Sequence, residues 1–214
     1  MGGPTAPGRD CALCPRLVDY RANNRATHTD WHNAPVASFG PIDARLLIVG
    51  LAPGLQGANR TGRPFTGDYA GDLLYATLAR FGFSRGTYDA HPDDGLALID
   101  CRITNAVRCV PPANKPTPEE AAQCRPFLAS EIAAMTRIEA ILALGAVAHQ
   151  TVIATLGARR SDFPFAHGAI HHLPARRLTL ADSYHCSRYN TNTGRLTPAM
   201  FESVFDSVRA RLDR

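Results

Sequence analysis

The 214-residue sequence has no apolar run of the roughly 18 residues that are needed to span a bilayer. Its first ten residues are rich in glycine and proline and lack the apolar segment of a secretory signal. These absences argue against a membrane protein and against export. We therefore expect a cytoplasmic protein without a membrane partner, in a compartment where thiols stay reduced.

Internal repeats and long linkers are also missing, and positive charge is only slightly in excess of negative charge. The chain is 45% apolar with a formal net charge of +4, which excludes disordered and small disulfide-rich classes. We expect a single monomeric domain over residues 1–214. The basic balance allows a nucleic-acid partner, although an ordinary basic enzyme would have the same charge.

Short, β-rich apolar runs alternate with helical stretches along the chain. The runs at 45–51, 96–103, 138–144 and 177–184 predict four strands, and the helical stretches are 71–81, 117–136, 146–156 and 198–211. This alternation predicts a parallel sheet with helices on both faces. Ligands of such sheets bind at the carboxyl ends of the strands, so the loops that follow the strands are the expected site.

The six cysteines need a purpose other than disulfides in a reducing compartment. Cys11 and Cys14 form a CxxC, and Cys109 and Cys124 flank a proline-rich loop and the start of a helix. Two close and two distant thiolates can converge on one metal centre, which would be zinc or an iron–sulfur cluster. The spacing does not separate these metals, and inert buried thiols are the alternative.

The segment after the first predicted strand reads GLAPGLQGANRTGRPFTGD and contains five glycines. Glycine lets the backbone approach a ligand closely. Asn59, Arg60 and Arg63 add donors suited to phosphate, Phe65 offers a flat face, and Asp68 is the loop's only carboxylate. No GKS or GKT follows, so this is not a Walker phosphate loop.

Polar side chains also follow the second and fourth predicted strands. Asn105 can donate and accept hydrogen bonds and so read a base edge, although an Asn that only serves a turn is common. His185 can donate to a developing anion or move a proton. Ser187, Arg188 and Arg195 follow it in the same loop.

Three other histidines, His167, His171 and His172, form a loose cluster in the sequence. No carboxylate lies at a spacing that would complete a metal site with them. We therefore expect them to be surface residues or to lie near a nucleic acid.

Taken together, GLAPG…GANRTGRPFTGD, TNAVRCVPPANKP and HCSRYNTNTGRLT resemble the motifs of the type B (family 5) uracil-DNA glycosylases over nearly the whole chain. The resemblance implies a three-layer α/β/α sandwich around a four-stranded, mainly parallel sheet. It implies a [4Fe–4S] cluster held by Cys11, Cys14, Cys109 and Cys124, with the first two supplied by the N-terminal arm. It also implies base-excision repair: hydrolysis of the N-glycosidic bond of uracil in DNA, and of other deaminated bases such as hypoxanthine, leaving an abasic site.

The resemblance also implies roles for individual residues, with Asp68, Asn105 and His185 as the catalytic set. Many uracil glycosylases have a carboxylate where this chain and family 5 do not, at Ala52, so Asp68 is expected to activate water or stabilise the sugar cation. Phe65 is expected to stack on the base. Substrate contacts are expected from Gly50, Ala52, Gly54, Phe65, Asn105 and His185, and DNA contacts from Asn59, Arg60, Arg63, Ser187, Arg188, Arg195 and, as an apolar wedge, Leu196.

A different class of protein also fits part of the sequence: a zinc-bearing nucleic-acid-binding module without catalytic activity. The four cysteines, the basic charge, the loop arginines and Ala52 are all compatible with it. Asp68, Asn105 and His185 argue against it, because they follow separate strands where an active site is expected to form.

Overall fold

A computed structural model describes residues 3–173 and 177–213. The predicted domain also includes residues 1–2, 174–176 and 214, which lie outside the described residues. The helices are α1 Pro15–Thr27, α2 Ala58–Thr61, α3 Tyr69–Arg80, α4 Pro118–Ala134, α5 Ala146–Thr155, α6 Arg188–Asn192 and α7 Pro198–Leu212. The strands are β1 Leu46–Gly50, β2 Ser84–Arg85, β3 Ala97–Leu98, β4 Cys101–Asn105, β5 Ala140–Leu144, β6 Ile170–Leu173 and β7 Leu178–Ser183.

The main sheet has the strand order β4-β1-β5-β7-β6. Its first four strands run parallel, and β6 pairs antiparallel with β7 at the edge. The predicted α/β/α class is confirmed, but the sheet has five strands where four were expected. The additional strand, IHHL, contains two histidines and is largely exposed, so no apolar run marks it.

Alternate residues of the central strand β1 pack into two separate cores. Leu46 and Ile48 belong to the core that contains α3 and α7, whereas Leu47 and Val49 belong to the core that contains α4 and α5. Successive strand side chains point to opposite faces of a sheet. A fully buried apolar strand therefore requires helices on both faces, and this is the three-layer arrangement.

The predicted strand at 96–103 is divided in the structure. Its first part, β3, pairs with β2 in a small separate sheet, and β4 enters the main sheet. Between them Asp100 has a left-handed backbone, with φ of 52°. Its carboxylate accepts hydrogen bonds from the backbone N–H of Arg45 at 2.8 Å and from Arg45 Nε at 2.7 Å.

The predicted start of α4 is confirmed by a capping box. The Thr117 hydroxyl accepts from the backbone N–H of Glu120 at 3.2 Å, and the Glu120 carboxylate accepts from the backbone N–H of Thr117 at 2.8 Å. Among the helices of the described residues, none has both the length and the apolarity to cross a bilayer.

Candidate active site

The carboxyl ends of the parallel strands open into a pocket of about 710 Å³. β1 ends at Gly50, which is in register with Asn105 at the end of β4. The loops that follow β1, β4 and β7 all contribute to the pocket wall, as the sequence predicts. Its lining includes Phe65, Asp68, Asn105, Tyr184, His185 and Arg195.

Because Gly50 has no side chain, Asn105 and Phe65 can both pack against its backbone. A Cβ added to Gly50 would lie 2.4 Å from Asn105 Oδ1 and 2.6 Å from Phe65 Cζ. Asn105 is only 3% exposed, and within the described residues its amide forms no side-chain hydrogen bond. An amide that faces a pocket without a protein partner is suited to a ligand that supplies one.

Phe65 lines the pocket and has a left-handed backbone conformation, with φ of 53°. Close packing fixes this conformation, because a Cβ on Gly71 would lie 1.8 Å from the Phe65 carbonyl oxygen. The Tyr88 hydroxyl donates to the same oxygen at 3.3 Å. The Phe65 ring centroid lies 6.0 Å from that of His185, with 28° between the planes. Such backbone strain persists where the surroundings determine it fully, often at functional sites.

Asp68 forms the N-cap of α3 and also lines the pocket. Its Oδ1 accepts from the backbone N–H of Gly71 at 3.2 Å, and its Oδ2 lies where side chains on Gly54 or Gly57 would collide with it. Burial raises the pKa of Asp68, and backbone hydrogen bonds from Gly71 and Ala70 partly oppose this shift. A carboxylate of increased basicity beside a pocket is suited to accept a proton.

His185 lies opposite Phe65 in the pocket wall. Burial lowers its pKa to about 4, so the imidazole is neutral at neutral pH. Within the described part of the chain, neither ring nitrogen forms a hydrogen bond. The backbone carbonyl of His185 accepts from Asn190 Nδ2 at 2.8 Å, which fixes the loop while the ring remains free to donate.

The exposed rim of the pocket carries several predicted DNA contacts. Ser187 caps α6, Arg188 lies 5.4 Å from the centre of the Tyr69 ring, and Arg195 lies 4.6 Å from that of Tyr184. Arg60, in α2, is exposed but does not line the pocket; its Nη2 lies 2.8 Å from where a Cβ on the pocket-lining Gly67 would be.

Two predicted DNA contacts, Asn59 and Arg63, are instead buried structural residues. Arg63 is 5% exposed, and its guanidinium donates to both carboxylate oxygens of Asp94 at 2.7 and 2.6 Å. Asn59 is 1% exposed, and its Nδ2 donates to Asn33 Oδ1 at 2.9 Å. Neither side chain can reach a phosphate from this position, so both predictions are corrected.

The predicted wedge at Leu196 is also corrected. Leu196 is 1% exposed and packs in the core with α7. Tyr189, on α6, is 71% exposed at the mouth of the pocket. Tyr189 was not among the predicted site residues, although an aromatic residue in a polar loop between an arginine and an asparagine was an available signal.

A buried network of two histidines and an aspartate was missed as well. His149 Nδ1 lies 2.7 Å and His171 Nε2 lies 3.1 Å from the Asp182 carboxylate oxygens, and His149 Nε2 lies 2.8 Å from the Phe163 carbonyl oxygen. One ring nitrogen of each histidine and one carboxylate oxygen of Asp182 lie within 4.8 Å of one another. The expectation that His171 has no carboxylate partner is therefore wrong. The network fixes the segment that carries Phe165 into the pocket wall.

The four predicted metal ligands surround one small cavity. Cys11, Cys14, Cys109 and Cys124 all line it as free thiols. Thiolates are soft ligands, so this set of four cysteines fits a soft metal centre, either zinc or an iron–sulfur cluster.

The other two cysteines belong to the main core. Cys101 and Cys186 are fully buried, and burial strongly raises the pKa of each thiol. Neither is available as a nucleophile.

The chain matches known proteins over most of its length. The model of the Uracil DNA glycosylase superfamily matches residues 37–209. A type-5 uracil-DNA glycosylase of Thermus thermophilus is 47% identical over 199 residues, which cover 91% of this chain and 90% of the relative. Type-5 uracil-DNA glycosylases of Mycobacterium tuberculosis and Pyrobaculum aerophilum are 43% and 41% identical, and the alignments cover 93% and 94% of this chain and 77% and 88% of the relatives. The chain therefore belongs to the uracil-DNA glycosylase superfamily and, within it, to the type-5 family.

Proposed function

We propose that the protein hydrolyses the N-glycosidic bond of uracil in DNA and leaves an abasic site. One observation carries the proposal: Phe65, Asp68, Asn105 and His185 line a single pocket at the carboxyl edge of the sheet. The family model and the names of the relatives support it. Because the pocket has room for a purine as well as a pyrimidine, we extend the proposal to hypoxanthine and other deaminated bases.

The target base has to leave the double helix before side chains can reach its glycosidic bond. In the pocket, uracil stacks on Phe65, and the Asn105 amide pairs with its hydrogen-bonding edge. The neutral imidazole of His185 donates a hydrogen bond to O2, where negative charge develops as the bond breaks. A preorganised donor of this kind contributes a few kcal/mol to the stabilisation of the transition state.

Asp68 acts on the sugar side of the same bond. Its carboxylate stabilises the cationic character that develops on the sugar, and it accepts a proton from the attacking water. The raised pKa of Asp68 improves its strength as a base. Ala52, which also lines the pocket, supplies no competing carboxylate.

The DNA backbone is held by the exposed rim of the pocket. Arg60, Ser187, Arg188 and Arg195 contact phosphates around the extruded nucleotide. Tyr189 takes the role predicted for Leu196 and fills the space that the base leaves in the stack.

We further propose that Cys11, Cys14, Cys109 and Cys124 hold a [4Fe–4S] cluster. When bound, it supplies a rigid cross-link between the N-terminal arm, the loop after β4 and helix α4. Burial raises the pKa of Cys109 to about 12 although the nearby Arg21 lowers it, and a bound metal centre would hold this ligand as a thiolate.

The whole chain, residues 1–214, is proposed to act as one monomeric domain in the cytoplasm. A single pocket rim formed by one chain is sufficient for the DNA contacts described above.

The function is tested by incubating the protein with a uracil-containing duplex and then cleaving abasic sites with alkali. We expect strand breaks at the uracil and none in a matched duplex with thymine at that position. Binding without breaks would instead favour the zinc-bearing binding module. Broad absorbance near ~400 nm is expected from a thiolate-bound iron–sulfur cluster, and a colourless zinc protein would contradict the cluster.

A further inference from the structure

A buried arginine of helix α1 lines the same small cavity as the four cysteines and has no carboxylate partner among the described residues. Arg21 is only 5% exposed. Two comparably buried arginines are each neutralised, since Arg63 pairs with Asp94 and Arg108 pairs with Glu131. Arg21 is therefore a buried positive charge whose counter-charge is not supplied by an acidic residue.

Both contacts of the Arg21 guanidinium go to cysteine residues. Its Nη2 donates to the backbone carbonyl oxygen of Cys11 at 2.8 Å, and its Nη1 donates to Cys109 Sγ at 3.7 Å. The acidic residue nearest in sequence, Asp10, pairs with Arg25 at 2.6 Å and is largely exposed. The guanidinium thus joins the N-terminal arm to the loop after β4 at the cysteine site.

The other polar contact to a cysteine sulfur in this cavity comes from an uncharged donor. The backbone N–H of Arg108 donates to Cys124 Sγ at 3.3 Å. The Arg108 side chain turns away from the sulfurs, to Ser38 and Glu131. Of the buried arginines described above, Arg21 alone brings a cationic group to a cysteine sulfur.

Burying a guanidinium without a counter-charge is costly. A metal centre with four thiolate ligands removes this cost, because the ligands outweigh the positive charge of the iron–sulfur core and leave the site anionic. Hydrogen bonds and charges around the sulfurs also set the reduction potential of such clusters.

We propose that Arg21 is a positioning residue that stabilises the metal–thiolate centre and raises the reduction potential of its cluster. This inference rests on the proposed [4Fe–4S] cluster. Addition of one electron to the cluster makes the site more negative. The fixed cation beside Cys109 therefore favours the reduced state more than the oxidised one.

The experiment compares the full-length parent with Arg21→Gln, Arg21→Lys and the matched control Arg25→Gln, all purified without oxygen. Arg25 lies one helical turn further along α1 and contacts no cysteine side chain. Iron and sulfide content are measured first. The midpoint potential is then titrated with dithionite as the electron donor, and bleaching near ~400 nm is followed in chelator.

We expect Arg21→Gln to have a more negative midpoint potential and to lose its cluster roughly tenfold faster. Arg25→Gln should match the parent, and Arg21→Lys should restore the potential because it retains the charge. Arg21→Met provides a second neutral variant if Arg21→Gln does not fold.

The outcomes separate the two proposals. A parent protein without iron and sulfide would defeat the cluster itself. If the parent contains the cluster and the neutral variants share its potential and bleaching rate, the role of Arg21 is overturned. A shift in Arg21→Gln that Arg21→Lys does not restore would overturn the charge as its cause.

Discussion

At the residue scale, the pocket combines fixed parts with unbonded ones. Phe65 is held by close backbone packing and Asp68 by its hydrogen bond at the start of α3. Asn105 and His185 face the same space, and their side chains form no hydrogen bonds within the residues described. A fixed aromatic ring beside polar side chains that have no protein partner is suited to recognise a flat polar ligand by stacking and hydrogen bonding.

Asn105→Ala is expected to lower single-turnover uracil excision about a hundredfold, because it removes a placed hydrogen-bonding group. Thermal stability should hardly change, because the Asn105 amide bonds to nothing else in the described chain. Asn33→Ala is the matched control: Asn33 is also buried, and it donates to the carbonyl oxygens of Asn24 and His28 at 3.2 and 2.6 Å. The control should lose about 1–3 kcal/mol of stability. Equal activity in Asn105→Ala and the parent would exclude base reading by this amide.

Asp68→Asn is expected to lower the rate of excision roughly 10²- to 10⁴-fold while α3 stays capped, since Asn is also a good N-cap. The proposed role of Asp68 requires its ionised carboxylate, and burial raises the pKa of this group. In the parent the rate should therefore fall with decreasing pH at a higher pH than an ordinary aspartate would give. His185, with a pKa of about 4, ionises only in acid. Single-turnover rates across pH check this, and an unchanged acid limb in Asp68→Asn would remove Asp68 from the mechanism.

At the element scale, the short helix α6 determines which side chains are exposed at the pocket rim. Ser187 caps it, and Asn190 ties it to the His185 backbone at 2.8 Å. The Asn190 carbonyl oxygen accepts from the backbone N–H of Leu196 at 3.0 Å, so Leu196 enters the core while Tyr189 remains outside. This local geometry therefore explains why Leu196 is buried and Tyr189 is exposed.

Tyr189→Ala is expected to lower excision from duplex DNA roughly tenfold to a hundredfold, because an inserted side chain offsets a few kcal/mol of unstacking. Excision from single-stranded DNA should change much less, since that substrate has no stack to fill. Leu196→Ala should instead cost about 2–5 kcal/mol of folding stability. Rates on both substrates and urea unfolding of both variants check the assignment. Equal losses on duplex and single strand would contradict a wedge.

Elements whose burial shows as an apolar run could be predicted from the sequence, and the others could not. β1, β5 and β7 are fully buried and were found close to their observed bounds. Helix α1 was missed because its polar sequence, PRLVDYRANNRAT, has little helical patterning. It is held by contacts with distant residues, such as Arg16 with Glu120 at 2.7 Å.

In the candidate site, too, local sequence patterns predict some residues and not others. The loops that carry Asp68, Asn105 and His185 were predicted because they follow strands whose ends the sheet brings together, whereas the roles of these residues were implied by the family resemblance. Arg63 and Leu196 stand in equally polar loops, but their burial depends on Asp94 and on α7, which no local pattern reveals.

At the scale of the whole molecule, a net charge of +4 is too small to direct DNA binding by itself. The proposed DNA binding must therefore depend on where the exposed positive charges lie. Arg188 and Arg195 lie at the pocket mouth, and Arg60 is exposed on the same loop as Asp68. Arg137, in contrast, precedes β5 and so lies at the amino edge of the sheet, where it is 3.8 Å from Asp43.

The salt dependence of DNA binding therefore distinguishes the two edges of the sheet. Each phosphate contact contributes about −0.9 to the slope of log K against log salt concentration. Arg60→Ala, Arg188→Ala and Arg195→Ala should each make the slope less negative by about one. Arg137→Ala is matched in charge and also exposed, and it should leave the slope unchanged. Titration of a labelled duplex at several salt concentrations gives the slopes. If all four variants shifted the slope equally, DNA would respond to net charge alone, and the pocket rim would have no special part in binding.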